Sequence, residues 1–230
     1  MESISQILQP YRAIVGEVAS YVTIAQFFSG ILLCRDIYKK GSTKGFVATP
    51  FIGGLTLGVL MLKYGLLLSD PASIKVNLVA IVLNILYLLV FYQYNNNRTQ
   101  DVLKPLGYAT TMVAVLLGYA EVESPDKIEF RFGLIVNGFL LALIAFPLFG
   151  VREIIAKRDA SSIPVLMTFM STLVTFMWLL YGIILRNTLM VIPNIIGLLL
   201  CTVQFTLLAL YGSKPPSKSG KNKKKKNKKE

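Results

Sequence analysis

The sequence predicts an all-α membrane protein: seven transmembrane helices arranged as two parallel three-helix repeats joined by a linker helix. Three observations predict it. Seven uncharged runs are long enough, or nearly so, to cross a bilayer, which takes ~20 residues as helix; they are 18–34, 45–62, 76–97, 105–120, 132–151, 160–185 and 187–213. The chain is 54% apolar over 230 residues, and a water-soluble protein of that size cannot bury seven helices that are apolar all round. Finally, the second half repeats the first at one fixed offset.

The first run follows Glu2, Gln6, Pro10, Arg12 and Glu17. That segment lacks the compact apolar stretch after a basic start that marks a cleaved signal, so the first helix is expected to direct insertion itself. The second run ends in Leu62-Lys63-Tyr64-Gly65, and Asp70-Pro71 then offers a cap and a first-turn proline for the third. The fourth is shortest; it gains length from Val102 and Leu103 while Lys104 reaches back to the interface. The sixth run holds the only tryptophan, Trp178, and the seventh opens on Ile192-Pro193-Asn194. The expected units are residues 14–95, a linker helix at 101–121, a second repeat at 128–212 and a disordered tail at 213–230.

Orientation follows from Lys and Arg, which are retained on the cytosolic side. With the N-terminus outside, the cytosolic segments hold Arg35, Lys39, Lys40, Lys44, Arg98, Lys104, Arg152, Lys157 and Arg158, and the tail adds nine lysines. The outside keeps only Arg12, Lys63, Lys75, Lys127, Arg131 and Arg186. An N-out, C-in protein is expected, in the plasma membrane, with the Golgi or ER as alternative. The net charge of +12 therefore points to anionic lipid at the tail, at ~1 kcal/mol per lysine, and not to nucleic acid. Lys226 and Lys228 in KNKKE also match a dilysine retrieval signal. There is no histidine, which removes the usual participant in zinc sites and in Ser-His or Cys-His catalysis. No enzyme activity, cofactor or metal is expected. Cys34 and Cys201 fall inside predicted helices and suggest no disulfide framework. The sequon Asn97-Arg98-Thr99 lies on the cytosolic side and should stay bare.

A shift of 117 residues places Arg35-Asp36 on Arg152-Glu153, Lys40 on Lys157, Tyr64-Gly65 on Tyr181-Gly182, Leu68 on Leu185 and Asn77 on Asn194. One offset holding through two loops indicates duplication. Three crossings would invert the second copy, and the fourth helix restores its orientation. These residues, with the loop CRDIYKKGSTKGFVATPF, the SSIP and WLLYG segments and the pairs Val76-Asn77 and Pro193-Asn194, carry a resemblance to the SWEET (MtN3/saliva) sugar transporters over about residues 14–212. Parallel repeats are a known property of that family.

Asn77, Trp178 and Asn194 are placed at one depth by spacing: Trp178 lies about 10 Å below the outer end of its helix at 1.5 Å per residue, and the two asparagines lie similarly deep. A carboxamide donates and accepts at once, matching paired sugar hydroxyls, and an indole offers a flat face to a pyranose ring. Two readings stand level on these residues alone: a pocket, or interhelical hydrogen bonds of ~0.6 kcal/mol each with Trp178 as filler. The resemblance implies the pocket. Met61 stands at the offset of Trp178 and gives a deformable wall; Thr23, Gln26 and Asn137 are further polar candidates. The resemblance also implies an extracellular gate at Tyr64 and Tyr181, where Asp70 and Arg186 are expected to pair. It implies as well a cytosolic proline tetrad, met here by Pro50, Pro147 and Pro164, with Gly30 in the fourth place. Proline removes a backbone hydrogen bond and glycine loosens a helix, so either makes a hinge.

No Asp, Glu, Lys, Arg or His lies near the middle of any run, whereas proton-coupled carriers keep an ionisable group at depth. The expected activity is bidirectional sugar uniport by alternating access, with a mono- or disaccharide and membrane lipid as partners; a homo-oligomer is left open. Rivals are a PQ-loop-type carrier of another solute, such as an amino acid, and a seven-helix receptor. Two neutral asparagines fit a zwitterion poorly, and a receptor has no use for a parallel duplication.

Overall fold

The computed structural model describes residues 2–145 and 148–212; Pro147 and the tail expected at 213–230 lie outside them. Its helices, in chain order, are α1 (Glu2–Leu8), α2 (Arg12–Phe27), α3 (Ser29–Lys40), α4 (Thr49–Leu67), α5 (Pro71–Tyr94), α6 (Lys104–Val122), α7 (Pro125–Ala145), α8 (Leu148–Lys157), α9 (Val165–Ile184) and α10 (Thr188–Tyr211). No strand occurs among the described residues. Among the described residues seven stretches are long and apolar enough to cross a membrane, so the chain is an integral membrane protein. The first, Ile4–Lys40, has 37 residues and would run about 55 Å as one straight helix, against a hydrocarbon core of ~30 Å. A 3-10 turn at Gln9–Tyr11 and a break at Phe28 divide it.

The duplication governs the boundaries. The helices α5 and α10 begin at Pro71 and Thr188 and end at Tyr94 and Tyr211, each pair one offset apart. Both start on a capping side chain: the Ser73 N–H donates to Asp70 Oδ2 at 3.0 Å and the Met190 N–H to Asn187 Oδ1 at 3.1 Å. Before each cap the chain turns through a left-handed residue, Ser69 (φ 49°) or Arg186 (φ 55°), which closes the preceding helix. The first spans also stop at matching places, α2 before Phe28 and α7 at Ala145, one offset from Phe28.

Within each repeat the third span packs between the other two: α5 lies against α2 and α4, and α10 against α7 and α9. The repeats meet along two seams, α2 with α9 and α4 with α7, which exchange under a pseudo-twofold axis. The linker α6 packs on α4, contributing Ala120 to a cluster with Leu60, Tyr64, Ile128, Phe132 and Val136.

Two ion pairs fix the α1 end of this linker, Lys63 to Glu121 at 2.6 Å and Arg131 to Glu123 at 2.6 Å. Glu123 also accepts from the Tyr119 hydroxyl at 2.7 Å, and the Ser124 N–H donates to its other oxygen at 3.0 Å. The Tyr119 hydroxyl first, then Arg131, hold its carboxyl at about 2 against an ordinary 4.5. A depressed carboxyl contributes stability above its unfolded value and loses it as pH falls through the folded one. The melting-temperature gap between wild type and Glu123→Gln in detergent should therefore be full above about pH 4.5 and narrow as pH falls toward about 2; a constant gap would refute the linkage.

Candidate functional site

At the α1 end, Tyr64 and Tyr181 are almost wholly buried, 4% and 3% exposed, and each reaches into the opposite repeat. The Tyr181 hydroxyl donates to Asp70 Oδ1 at 2.5 Å, within the range of a hydroxyl on a carboxylate. Asn187 Nδ2 donates to the Tyr64 hydroxyl at 3.2 Å. Asp70 and Asn187 stand one offset apart, so the two bonds form a crossed, twofold latch. Glycines make room for it: a Cβ on Gly16 would stand 2.8 Å from Tyr181 Cε2, and one on Gly133 would stand 2.8 Å from Tyr64 Cε2. Gly16 and Gly133 are again one offset apart. Over the latch lies a recess of about 730 Å³ whose lining includes Tyr64, Asp70, Asn187, Arg12, Glu129 and Arg186.

The expected pair of Asp70 with Arg186 does not form. Asp70, 1% exposed, is committed to Tyr181 and to its own helix cap. Arg186 instead meets Glu2 at 3.3 Å and Ser5 Oγ at 3.3 Å, both on α1. This helix had no assignment in the sequence. It caps the end of α9, since Ser5 Oγ and Gln9 Nε2 both donate to the Ile184 carbonyl, at 3.1 and 3.0 Å. That carbonyl is one of the orphans every helix C-terminus leaves.

Deeper in the bundle, Asn77 and Asn194 are half-buried. Each spends one N–H on its own helix: Asn77 Nδ2 donates to the Ser73 carbonyl at 2.8 Å, Asn194 Nδ2 to the Met190 carbonyl at 2.7 Å. Asn137, buried, does the same with Gly133 at 2.7 Å. None of the three bonds another helix among the described residues, so they are not interhelical ties. A carboxamide offers two N–H donors and two lone pairs, leaving each an oxygen and one N–H without a partner among the described residues.

Thr23 and Gln26, expected on the cavity wall, join α2 to α9. Trp178 Nε1 donates to Thr23 Oγ1 at 2.8 Å and Gln26 Nε2 to Ser171 Oγ at 2.8 Å. The indole also meets the Tyr181 ring edge-on, 5.7 Å between centroids at 77°. Met61 packs instead against the apolar cluster between α4, α6 and α7.

The residues of the other gate need a correction. Pro50 lies in the first turn of α4 and Pro164 is the N-cap of α9. At these positions no intrahelical N–H bond exists to be removed, so neither kinks a helix. The break in the first span falls at Phe28, two residues before Gly30, where the Tyr87 hydroxyl donates to the Phe27 carbonyl at 3.0 Å. Gly30 admits that ring, since a Cβ there would stand 2.3 Å from Tyr87 Cε2. Proline does lie inside α10, as Pro193 beside Asn194. The sequence reasoning missed Asn187, Gly16 and Gly133; the signal was available, because Asn187 stands one offset of 117 from Asp70 and Gly133 one offset from Gly16.

The family model described as "Sugar efflux transporter for intercellular exchange" (MtN3/saliva) matches residues 13–99 and again 130–216, two segments 117 residues apart. The sugar transporter SWEET1 of Drosophila pseudoobscura pseudoobscura is 28% identical over 209 residues, covering 90% of this chain and 92% of the relative. SWEET1 of Caenorhabditis elegans is 29% identical over 86% of this chain and 64% of its own length. The bidirectional sugar transporter SWEET12 of Oryza sativa subsp. japonica is 28% identical over 90% of this chain and 68% of its own. In fold, the chain superposes on a eukaryotic SWEET transporter solved at 3.7 Å with a TM-score of 0.80, over 90% of this chain and 100% of that one, at 23% identity.

One test follows from the latch. Gly16→Ala forces the Tyr181 ring off its bond with Asp70, and overpacking of this kind costs about 1–3 kcal/mol. The expected result is a lower melting temperature with a monodisperse protein, whereas Gly118→Ala, where a Cβ meets open space within α6, should leave the melting temperature unchanged or raise it, alanine being the better helix residue. Equal melting temperatures for the two variants would sink the close-approach argument. By the double match of the family model and the shared fold, the chain belongs to the MtN3/saliva (SWEET) family.

Proposed function

We propose that the chain is a sugar transporter working as a bidirectional uniporter by alternating access. The observation that supports it best is the pair of half-buried carboxamides, Asn77 and Asn194, each held by one bond to its own helix and free at its remaining positions. A neutral solute rich in hydroxyls satisfies such groups, since each hydroxyl can donate and accept. Family membership and relatives named as sugar transporters supply the solute class. Trp178 gives a rigid plate for a sugar ring, while Met61 lies in the apolar cluster of α4, α6 and α7. The crossed latch closes one end, and two rigid triple-helix units rock about the site. Gly30, Pro50, Pro147 and Pro164 are proposed to shape the other gate, Pro50 and Pro164 by fixing where helices begin.

Sidedness follows from the basic residues. The latch faces outside, the C-terminus is cytosolic, and the lysine tail rests on anionic lipid of the plasma membrane. Uniport fits the charge distribution: Glu17 and Lys75 pair at 2.6 Å and Lys63 pairs with Glu121, all toward the α1 end. Among the described residues no Asp, Glu, Lys or Arg lies near the middle of a span, the buried Asp70 standing at the latch end, whereas a coupled proton calls for an ionisable group at depth.

In transport-deficient cells, radiolabelled glucose and sucrose uptake should fall to background in Asn77→Ala, Asn194→Ala and Trp178→Ala with the folded protein still present. Retained flux in both asparagine variants would return those residues to packing. In vesicles, sugar accumulating against its gradient under an imposed proton gradient would refute uniport.

A further inference from the structure

We propose that Asp70 and Asn187 are positioning residues that couple each pocket carboxamide to the latch tyrosine of the opposite repeat. The proposal rests on the reading of Asn77 and Asn194 as solute-binding groups.

Three bonds of each residue bear on the coupling. The Asp70 N–H donates to the Gly65 carbonyl at 2.9 Å and so closes α4. Its Oδ2 takes the Ser73 N–H at 3.0 Å and opens α5, and its Oδ1 takes the Tyr181 hydroxyl. The Asn187 N–H donates to the Gly182 carbonyl at 3.0 Å and closes α9. Its Oδ1 takes the Met190 N–H and opens α10, and its Nδ2 donates to the Tyr64 hydroxyl.

The next bond inward reaches the carboxamides. Ser73, whose N–H is capped by Asp70, offers its carbonyl to Asn77; Met190, capped by Asn187, offers its carbonyl to Asn194. Both intermediaries are seated on a glycine of the preceding helix. A Cβ on Gly65 would stand 3.1 Å from Ser73 Cβ, and one on Gly182 would stand 3.3 Å from Met190 Cβ. The duplicated Tyr-Gly pair therefore has two tasks: the tyrosine closes the latch and the glycine seats the residue that holds the carboxamide.

Physically, a first helical turn keeps its geometry only while its orphan N–H groups are capped. Opening the latch takes the tyrosine from the capping side chain, loosens that turn and shifts the carbonyl from which the carboxamide hangs. A solute gripping the carboxamide resists that shift. The routes cross between repeats: Asn77 answers to Tyr181, and Asn194 to Tyr64.

The test is a set of double-mutant cycles on the detergent-solubilised full chain. Sugar affinity is followed by the fluorescence of Trp178, the single tryptophan, titrated with glucose or sucrose, whichever the wild type transports. Asp70→Ala should weaken binding about fivefold in the wild-type background and less than about twofold in Asn77→Ala. It should keep its full effect in Asn194→Ala. Asp70→Asn, which retains the cap and a bond to Tyr181, should restore affinity to within about twofold of wild type. The mirror cycle covers any variant that fails to fold: Asn187→Ala and Tyr64→Phe should each lose their effect in Asn194→Ala. Equal effects in both backgrounds, or no effect of Asp70→Ala and Asn187→Ala, would overturn the coupling. Unchanged binding in Asn77→Ala and Asn194→Ala would overturn the pocket reading together with it.

Discussion

A carboxamide inside a membrane helix has four hydrogen-bonding positions, and its own helix supplies a partner for one. How the rest are met, in surroundings where water is scarce, is the constraint on every polar side chain within the spans. Serines and threonines such as Ser20, Thr23, Thr56 and Thr172 settle the matter locally, each donating to a carbonyl four residues back. Asn77 and Asn194 do the same with one N–H and keep the remainder. The polar capacity left over is small, neutral and duplicated, and it sits on the third span of each repeat, bordered by both of the others.

The pseudo-twofold is nearly complete in backbone and incomplete in chemistry. The latch pairs a tyrosine with a carboxylate on one side and with a carboxamide on the other, so the two closures differ in strength although they share a geometry. The seams differ more. Between α2 and α9, Trp178 and Gln26 make hydrogen bonds with Thr23 and Ser171. The matching positions between α4 and α7 are Met61, Gly54, Leu140 and Leu143, and a small cavity of about 120 Å³ lies along that seam. The linker α6 and the short α1 complete the exchange: α6 packs on α4, and α1 packs on α9.

Much of this was legible in the residues. Uncharged runs located the seven spans, because length and hydropathy are local properties. The offset of 117 located Asn77 with Asn194 and Tyr64 with Tyr181, because duplicated residues keep their register. The same offset would have supplied Asn187 from Asp70, but a carboxylate and a carboxamide do not look alike in sequence, and the cap reading satisfied Asp70 without asking for its twin. The pairing of Asp70 with Arg186 failed for a different reason. Proximity of two loops says nothing about direction, and the left-handed turn at Arg186 sends its side chain toward α1, where Glu2 and Ser5 are nearer partners.

Pro50 and Pro164 show the same division. Composition marks them as helix disruptors, and only their place in the fold makes them helix starters. By itself, the sequence determined that the chain spans a membrane seven times, that it carries two copies of one unit in parallel, and which polar residues are too costly in lipid to be accidental. Those conclusions need only the period of the helix, the thickness of the bilayer and the repeat. The tertiary structure alone decided which repeat each tyrosine reaches, which bonds Thr23 and Trp178 make, and that the capping residues stand between latch and carboxamide. Such contacts join residues more than a hundred positions apart, and their geometry is set by how helices pack, which no local pattern encodes.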